Sequence, residues 1–246
     1  MYLKNKNILI TGAGKGIGHE TVKKCIDYGA YVYALVRNKK DNKKFSHIRN
    51  IKIINGDVTN IKLLNNILIN SKKNGRPINC LINNAGLRFR KKFLKVNKLE
   101  IQKIFDVNFF SIFLIMQIFS KFVIKNKLSN PSIINISSIV GITGFDELSV
   151  YASSKNALSA LTKSYAVEMS KFGIRANTVS PGFTKTSYYK KFKKNKKLYN
   201  WTLSRIPQKR WGESQEIAEL ICFVLSEKSK YLNGENISID GGWTNA

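Results

Sequence analysis

Short apolar runs alternate with segments of helical spacing along the whole chain. The first run ends at Thr11-Gly12, and Gly16–Tyr28 then carries apolar residues at the spacing of one helix face. Gly29 predicts the end of that helix, because glycine is common just past a helix C-terminus. The alternation continues and predicts seven strands, which are Asn7–Thr11, Tyr31–Val36, Ile51–Asn55, Cys80–Asn83, Ser132–Ser137, Arg175–Val179 and Asn236–Ile239.

Strands that alternate with helices favour right-handed βαβ units and a parallel sheet with helices on both faces. The chain shows no linker rich in Pro, Gly or Ser, no break in composition and no repeat of fixed period. A single α/β domain is therefore predicted for residues 1–246, with a doubly wound parallel sheet of about seven strands.

Composition adds a strong positive charge, since 42 Lys and Arg against 15 Asp and Glu give a formal charge of +27. Such a charge can indicate a nucleic acid or an anionic membrane as partner. However, Lys (34), Asn (26) and Ile (30) make up 90 of the 246 residues, a mixture expected of a very AT-rich genome. Lys outnumbers Arg 34 to 8, whereas bidentate recognition of phosphates and bases favours Arg. No specific nucleic-acid partner is predicted.

The cysteines and histidines argue against a metal site and a disulfide framework. Cys25, Cys80 and Cys222 lie far apart in the sequence, and His19 and His47 do not cluster with them. Zinc sites and disulfide scaffolds need cysteines at short or paired spacings. The sequence therefore predicts no bound metal and free thiols.

The apolar stretch 104–124 is the most membrane-like part of the chain. It is interrupted by four polar residues, Asp106, Asn108, Gln117 and Lys121, so no membrane-spanning helix is expected. The segment before Thr11-Gly12 is too short for a signal peptide. Together with free thiols, these features predict a reduced, cytoplasmic protein without a membrane partner.

A glycine-rich loop, Thr-Gly-Ala-Gly-Lys-Gly-Ile-Gly at positions 11–18, joins the first strand to the first helix. Glycines at this place let the backbone approach a pyrophosphate, and the helix N-terminus attracts its charge. An ordinary tight turn is the alternative, but the flanking strand and helix favour a dinucleotide site. The predicted contacts in the loop are Gly12, Gly14, Lys15, Gly16, Ile17 and Gly18.

The end of the second strand indicates which dinucleotide binds. An NAD site usually carries Asp or Glu there to hold the ribose 2′-hydroxyl. This strand instead ends Leu-Val-Arg-Asn, without an acid, and Arg37 together with Lys15 can pair with a 2′-phosphate. NADP(H) is therefore the predicted cofactor. Asp57, followed by Val58, is a candidate partner of the adenine amino group.

Tyr151 and Lys155 lie four residues apart at the start of a predicted helix that runs to about Phe172, so they share one helix face. Ser138 precedes Tyr151 by thirteen residues and follows a buried strand. A tyrosine hydroxyl has a pKa near 10, and a neighbouring ammonium lowers that pKa. A Tyr/Lys pair alone is common on surface helices, but beside a dinucleotide it can serve acid–base chemistry.

Together, the motifs resemble the short-chain dehydrogenase/reductase family over essentially the whole chain. The matching positions are the glycine loop, Asn83-Asn84-Ala85-Gly86, Asn108, Ser138, Tyr151 with Lys155, Pro181-Gly182 and Asp240-Gly241-Gly242. The resemblance implies a Rossmann fold and an NADP(H)-dependent oxidoreductase that acts on a carbonyl or secondary alcohol. It also implies a dinucleotide-binding half of about residues 1–130 and a catalytic and substrate-loop half of about 131–246.

The resemblance assigns a catalytic tetrad. Tyr151 would donate the proton to the substrate carbonyl oxygen, and Ser138 would hydrogen-bond that oxygen. Lys155 would hold the ribose hydroxyls and lower the pKa of Tyr151, and Asn108 would fix a helix bend and a water. Further cofactor neighbours implied by the family are Asn84, Ala85, Gly86, Pro181, Gly182, Phe183 and Thr186.

The loops that carry specificity in this family are basic. Arg88–Lys98 contains six Lys or Arg and Lys185–Lys197 contains seven lysines, and neither contains an acid. A positive cleft mouth concentrates anionic substrates, although compositional drift in loops explains the charge equally well. The segment 205–212 and Trp243 resemble sugar-acid and polyol oxidoreductases of the family.

Two other functions stay open at this point. A 3-oxoacyl-[acyl-carrier-protein] reductase would dock an acidic carrier protein, but the expected basic docking positions are Ser129 and Phe172 here, so the carrier is not the favoured partner. A non-catalytic dinucleotide sensor or scaffold would need the phosphate loop but not the intact Ser138, Tyr151 and Lys155. The sequence does not identify the substrate.

The helix predicted from about Asn97 to Lys121 carries more apolar residues than one buried face requires. This excess is typical of a helix that also packs against another subunit. Relatives in the family pair this helix and the Tyr/Lys helix in symmetric oligomers. A homotetramer or homodimer is therefore predicted.

Overall fold

Seven parallel strands form the central sheet of the computed structural model, which describes residues 3–187 and 189–246. The strands in chain order are β1 (Asn7–Thr11), β2 (Tyr31–Val36), β3 (Ile51–Asn55), β4 (Cys80–Asn83), β5 (Ser132–Ile136), β6 (Arg175–Pro181), β7 (Thr184–Lys185), β8 (Gly212–Glu213) and β9 (Asn236–Ile239). The sheet order is β3-β2-β1-β4-β5-β6-β9, and β7 and β8 pair separately. The seven predicted strands are confirmed, although β5 ends one residue earlier and β6 continues two residues further than predicted.

Helices connect the strands and cover both faces of the sheet. They are α1 (Gly16–Asp27), α2 (Ile61–Lys73), α3 (Lys98–Phe105), α4 (Ser111–Lys125), α5 (Ser149–Met169), α6 (Tyr189–Lys193), α7 (Lys196–Arg205) and α8 (Ser214–Leu225). The doubly wound α/β fold predicted from the alternation of strands and helices is thus confirmed.

Two hydrophobic layers explain why the strands are almost continuously apolar. Successive side chains of a strand point to opposite faces, so Ile8 and Ile10 pack with α1 and α8 while Leu9 packs with α2, α4 and α5. Both layers are inaccessible to water at their centres, with Ile8, Leu9 and Ile10 fully buried. A sheet buried on both faces needs apolar residues at every strand position.

The strand order reverses between β1 and β4, and this reversal places the site. β1 leads to β2 and β3 on one side, whereas β4 leads to β5, β6 and β9 on the other. The connections that leave the carboxyl ends of β1 and β4 diverge there and open a crevice, the usual ligand position in doubly wound sheets. The glycine-rich loop follows β1 at this crevice.

One long helical segment, Lys98–Lys125, combines α3 and α4 through a π-helical turn at Asp106–Phe110. Its length, and a mean hydropathy of 1.9 over its most apolar 18 residues, are sufficient for a membrane span, so the expectation that its polar residues exclude one was too strong. The fold accounts for the hydropathy differently, because α4 packs Ile112, Ile115, Met116 and Phe119 into the core against α2 and the sheet.

Candidate active site

A single cleft of about 790 Å³ lies at the carboxyl ends of the strands, a size typical of ligand sites. Of the predicted site residues, all but Gly18 and Asn108 line it. Its phosphate-loop end is the part lined by Lys15, Arg37, Asp41, Asp57 and Val58. Its tyrosine end is the part lined by Arg88, Ser138, Val140, Phe145, Leu148, Tyr151, Lys155, Phe183 and Trp211.

The glycine loop is held open by tight backbone contacts. A Cβ at Gly18 would lie 2.4 Å from both the Gly12 carbonyl oxygen and the Asn84 side-chain nitrogen, so only glycine fits there. Asn84 donates from Nδ2 to the carbonyls of Thr11 (3.1 Å) and Gly12 (3.0 Å). These contacts fix the loop to the end of β4. Because the glycines carry no Cβ, the space above the loop is left open for a pyrophosphate.

Basic and acidic side chains meet at the phosphate-loop end. Lys15 lies at the N-cap of α1 and is exposed, and Arg37 follows β2. Hydrogen bonds from Thr59 lower the pKa of Asp57, and the charge of Arg37 lowers it further. Asp57 is therefore ionised at neutral pH and partly offsets Arg37.

Asp41 is a site residue that the sequence analysis missed. A Cβ at Gly14 would lie 2.7 Å from Asp41 Oδ2, so this carboxylate sits directly beside the glycine loop. Lys44 donates to Asp41 Oδ1 (2.6 Å) and to the Gly14 carbonyl (2.7 Å). β2 itself ends without an acid, as predicted. The short helix Lys39–Phe45, which Asn38 caps, brings Asp41 back to the glycine loop.

At the tyrosine end, Tyr151 lies in the first turn of α5 and Ser138 lies just after β5. Burial raises the pKa of Tyr151, while the positive charge of Arg88 and a hydrogen bond with Ser138 lower it. The hydroxyl is therefore protonated at neutral pH and already contacts Ser138. Such a group can donate a proton to an oxygen bound between the two hydroxyls.

Lys155 lines the tyrosine end as a buried side chain, one helix turn after Tyr151. It is only 4% exposed, and its Nζ donates to the Ile136 carbonyl (2.7 Å) and lies 5.9 Å from the Tyr151 ring centroid. Burial lowers the pKa of Lys155 to about 8. The groups that lower the pKa of Tyr151 in this structure are Arg88 and Ser138, so an effect of Lys155 on Tyr151 stays a prediction.

Asn108 lies behind the cleft in the π-helical turn and is fully buried. Its Nδ2 donates to the Leu87 carbonyl (2.9 Å) and to Ser154 Oγ (3.1 Å), and its Oδ1 accepts from the Leu87 amide (2.8 Å). The wider helical turn gives Asn108 this position. Asn108 thus clamps the loop after β4 to helix α5, and Gly86 passes so close that a Cβ there would lie 3.5 Å from Lys155 Nζ.

An aromatic wall closes the tyrosine end, and no local pattern in the sequence predicts it. Phe183 packs 5.1 Å from Trp211 and 6.2 Å from Phe145, measured between ring centroids. These rings come from three distant segments, which only the fold brings together. On the same side, a Cβ at Gly16 would lie 3.3 Å from Thr186 Cγ2, so the segment after β6 reaches over the glycine loop.

The basic loop after β4 is less uniform than its composition indicates. Arg90 Nε donates to Glu147 (2.8 Å), and Lys91 Nζ donates to Glu100 (2.6 Å). Arg88 instead lines the cleft, and its charge acts on Tyr151. Lys185, in the second basic loop, is paired with Glu213. Three of the loop bases are therefore paired with acids from outside the loops, and Arg88 is the base of the first loop that lines the cleft.

A doubly wound sheet with a glycine loop at its switch point and a Ser, Tyr and Lys set in the same cleft defines a dinucleotide-dependent oxidoreductase. A family model described as "Enoyl-(Acyl carrier protein) reductase" matches residues 12–244. The chain belongs to this family of short-chain dehydrogenases/reductases, as the sequence motifs indicated.

Individual relatives differ in their activities. The chain is 30% identical to 5-keto-D-gluconate 5-reductase of Escherichia coli (strain K12), over 98% of this chain and 96% of that protein. It is 32% identical to the 3-oxoacyl-[acyl-carrier-protein] reductase FabG of Thermotoga maritima, over 98% of this chain and 99% of that protein. The solved structure of ElxO with NADP bound superposes with a TM-score of 0.90 at 30% identity, covering 98% of this chain and 99% of that one.

Proposed function

We propose that this protein reduces the carbonyl group of a small, polar or anionic substrate of the sugar-acid or polyol type with NADPH, and catalyses the reverse oxidation with NADP. The observation that carries the proposal is the joint position of Ser138, Tyr151 and Lys155 at one end of a cleft whose other end is a glycine loop. A sensor or scaffold would have no use for a proton donor beside Ser138.

The residues at the tyrosine end provide the acid–base part of the reaction. A bound NADPH supplies the hydride, which forms the new C–H bond at the carbonyl carbon. The Ser138 hydroxyl donates a hydrogen bond to the carbonyl oxygen, and Tyr151 transfers its proton to that oxygen as the C=O π bond breaks. In the oxidation, Tyr151 takes the proton back.

Lys155 and Asn108 support this chemistry from below. Lys155 binds the ribose hydroxyls, and a pKa of about 8 leaves it predominantly charged at neutral pH. Asn108 binds both the Leu87 backbone and Ser154 of helix α5. This fixes the distance between the loop after β4 and Tyr151. The water that the family resemblance assigns to Asn108 stays a prediction.

The cofactor choice rests on the phosphate-loop end. Lys15 and Arg37 are exposed at the cleft rim and can both pair with a 2′-phosphate. Asp41 opposes this phosphate, but Lys44 neutralises the carboxylate. The binding of NADP by a relative of this fold supports the same choice. The remaining cofactor contacts proposed from the family lie in the glycine loop and in the segments that follow β3, β4 and β6. They are Gly12, Gly14, Gly16, Ile17, Gly18, Asp57, Val58, Asn84, Ala85, Gly86, Pro181, Gly182, Phe183 and Thr186.

The substrate class rests on a relative that reduces 5-keto-D-gluconate and on the basic tyrosine end. The test is oxidation of NADPH by the purified protein, followed at 340 nm with 5-keto-D-gluconate. Ketone-dependent oxidation is expected. If no sugar acid or polyol of a broad panel reacts in either direction, the substrate class is wrong.

A second candidate function is supported by the similarity to FabG. A 3-oxoacyl-[acyl-carrier-protein] reductase would act on a thioester delivered by an acidic carrier. This candidate is less favoured, because Phe172, at a position where the family places a basic docking residue, is apolar and 46% exposed. A kcat/KM for a 3-oxoacyl thioester that exceeds the value for every sugar acid would favour it.

We also propose that the chain works as a homotetramer or homodimer in the cytoplasm. Large apolar side chains are exposed around α3 and α4, including Leu94 at 95%, Leu99 at 80% and Phe93 at 75%. Such an apolar surface is typical of an interface. All three cysteines are free thiols, as a reducing compartment requires. A monomeric mass by light scattering at micromolar concentration would contradict the assembly.

A further inference from the structure

Acidic and basic side chains are distributed differently at the two ends of the cleft. Among the described lining residues, the acids are Asp41 and Asp57, both at the phosphate-loop end. The charged lining residues at the tyrosine end are Arg88 and Lys155. Lys155 is buried and donates to the Ile136 carbonyl below the cleft. This leaves Arg88 as the exposed positive charge near the reacting atoms.

The position of Arg88 is fixed by its neighbours in the chain. Asn108 holds both the amide and the carbonyl of Leu87, the residue before it. Three residues later, the Lys91 amide donates to the Glu147 carbonyl (2.8 Å), and the Lys91 side chain is paired with Glu100. The backbone around Arg88 is thus anchored on both sides, which is what a positioning group for a substrate needs.

The aromatic side chains at the tyrosine end also limit what can bind. Phe145, Phe183 and Trp211 form an aromatic surface, while Ser138 and Tyr151 provide the hydroxyls for one oxygen. A ligand with one carbonyl, C–H groups that face the rings and one anionic end matches these three features. Arg is well suited to bind a carboxylate through two parallel hydrogen bonds.

We propose that Arg88 binds a carboxylate of the substrate and thereby places the carbonyl between Ser138 and Tyr151. This proposal rests on the function proposed above and names the group that selects a sugar acid over a neutral ketose. Arg88 then acts as a specificity residue: it holds the end of the substrate and exchanges no proton or electron with it.

Two substrates that differ at one group provide the test. L-Sorbose has the ketone and hydroxyls of 5-keto-D-gluconate but carries a hydroxymethyl group in place of the carboxylate. We expect the wild-type protein to prefer the acid, and Arg88→Gln to reduce that preference, expressed as the ratio of kcat/KM values, by about ten- to a hundredfold. The loss should fall mainly on KM, because the contact holds ground state and transition state alike.

Arg90→Gln is the matched control. It removes the same charge two residues further along the chain, from a side chain that is paired with Glu147. It should leave the ratio within about threefold of wild type, since exposed ion pairs contribute little. Arg88→Lys should retain part of the preference. Binding of D-gluconate to the NADP complex, measured by calorimetry, should weaken in Arg88→Gln and not in Arg90→Gln.

The possible failures are distinguishable. An Arg88→Gln variant that loses both substrates equally, or that keeps the wild-type ratio, overturns the carboxylate assignment while the reductase function stands. A wild-type protein that reduces L-sorbose as well as the acid also overturns it. If wild type neither reduces 5-keto-D-gluconate nor binds D-gluconate, the carboxylate assignment is overturned as well, while the substrate class is decided by the broader panel of sugar acids and polyols.

Discussion

The two ends of the cleft differ in how their charges are arranged. At the phosphate-loop end, Lys15 and Arg37 share the rim with Asp41 and Asp57, so that positive and negative side chains balance. At the tyrosine end, the charged lining residues in the described part of the chain are Arg88 and Lys155. The phosphate-loop end can therefore discriminate between cofactors only through individual ion pairs, whereas the tyrosine end carries charges of one sign, which we propose select an anionic substrate.

This difference also qualifies the meaning of the net charge. A formal charge of +27 indicates little about function when AT-rich codons supply the lysines. Glu147, Glu100 and Glu213, which lie outside the two basic loops, are paired with Arg90, Lys91 and Lys185. What remains informative is the sign of the few side chains that reach the cleft.

The largest expected effect removes the chemistry at the tyrosine end. Tyr151→Phe deletes the proposed proton donor but keeps the ring, so turnover should fall by at least about a hundredfold. NADPH should still bind, because the phosphate-loop end is unchanged. Steady-state rates together with NADPH fluorescence titration check both parts, and near-normal turnover would show that the proton donor is assigned wrongly.

A smaller effect is expected from an acid introduced at the phosphate-loop end. Val36→Asp places a carboxylate where an NAD site carries one, so it should accept the ribose 2′-hydroxyl of NADH and repel the 2′-phosphate of NADPH. Wild type should prefer NADPH by ten- to several-hundredfold, since each charge-assisted bond contributes about 1.5–3 kcal/mol, and the variant should prefer NADH. The kcat/KM values for both cofactors measure this. Raising the ionic strength should narrow the wild-type preference, and a preference for NADH in wild type would refute the assignment.

Asp41→Asn should change the same preference in the opposite direction and by less. The substitution removes the carboxylate beside Gly14 and releases Lys44 from its ion pair. NADPH should gain about three- to tenfold over NADH, as expected of a partly exposed charge pair. Asp27→Asn, which removes an acid outside the cleft, is the control and should leave the ratio unchanged. A shift toward NADH would mean that Asp41 supports phosphate binding.

The last expected effect is of another kind, a pH dependence of stability that comes from the buried Lys155. Its pKa of about 8 lies below the ordinary value of 10.5, so between these pH values the unfolded chain binds a proton that the folded protein has released. Stability from this group therefore rises with pH from about 8 to 10.5. The free energy of unfolding of wild type relative to Lys155→Met should increase by about 2 kcal/mol between pH 7.5 and 10. A difference that stays constant with pH would show that burial does not lower the pKa of Lys155, because the folded and unfolded chains would then release this proton at the same pH.

Much of the fold was predictable because its signals are local. Strands buried on both faces are short apolar runs, and the glycine loop and the spacing of Tyr151 and Lys155 are fixed by neighbouring residues. The π-helical turn at Asn108 was expected only as a bend. The aromatic wall was not predictable, because Phe145, Phe183 and Trp211 come together through tertiary contacts alone.

The charged residues of the cleft show the same limit. Asp41 was missed because the rule for NAD sites inspects the end of β2, whereas a capped turn after Asn38 returns the acid to Gly14. Arg88 was only one of six bases in its loop. Its position at the cleft depends on the clamp that Asn108 places on Leu87, and this contact cannot be read along the sequence.

The most direct test of the difference between the two ends is to measure kcat/KM for each of the four combinations of cofactor (NADPH or NADH) and substrate (5-keto-D-gluconate or L-sorbose). Because the two preferences arise at separate ends of the cleft, their free energies should add. We expect the highest kcat/KM for NADPH with 5-keto-D-gluconate and the lowest for NADH with L-sorbose. The ratio of these two values should equal the cofactor preference multiplied by the substrate preference. Equal values in all four cells, or a highest value for NADH with L-sorbose, would contradict it.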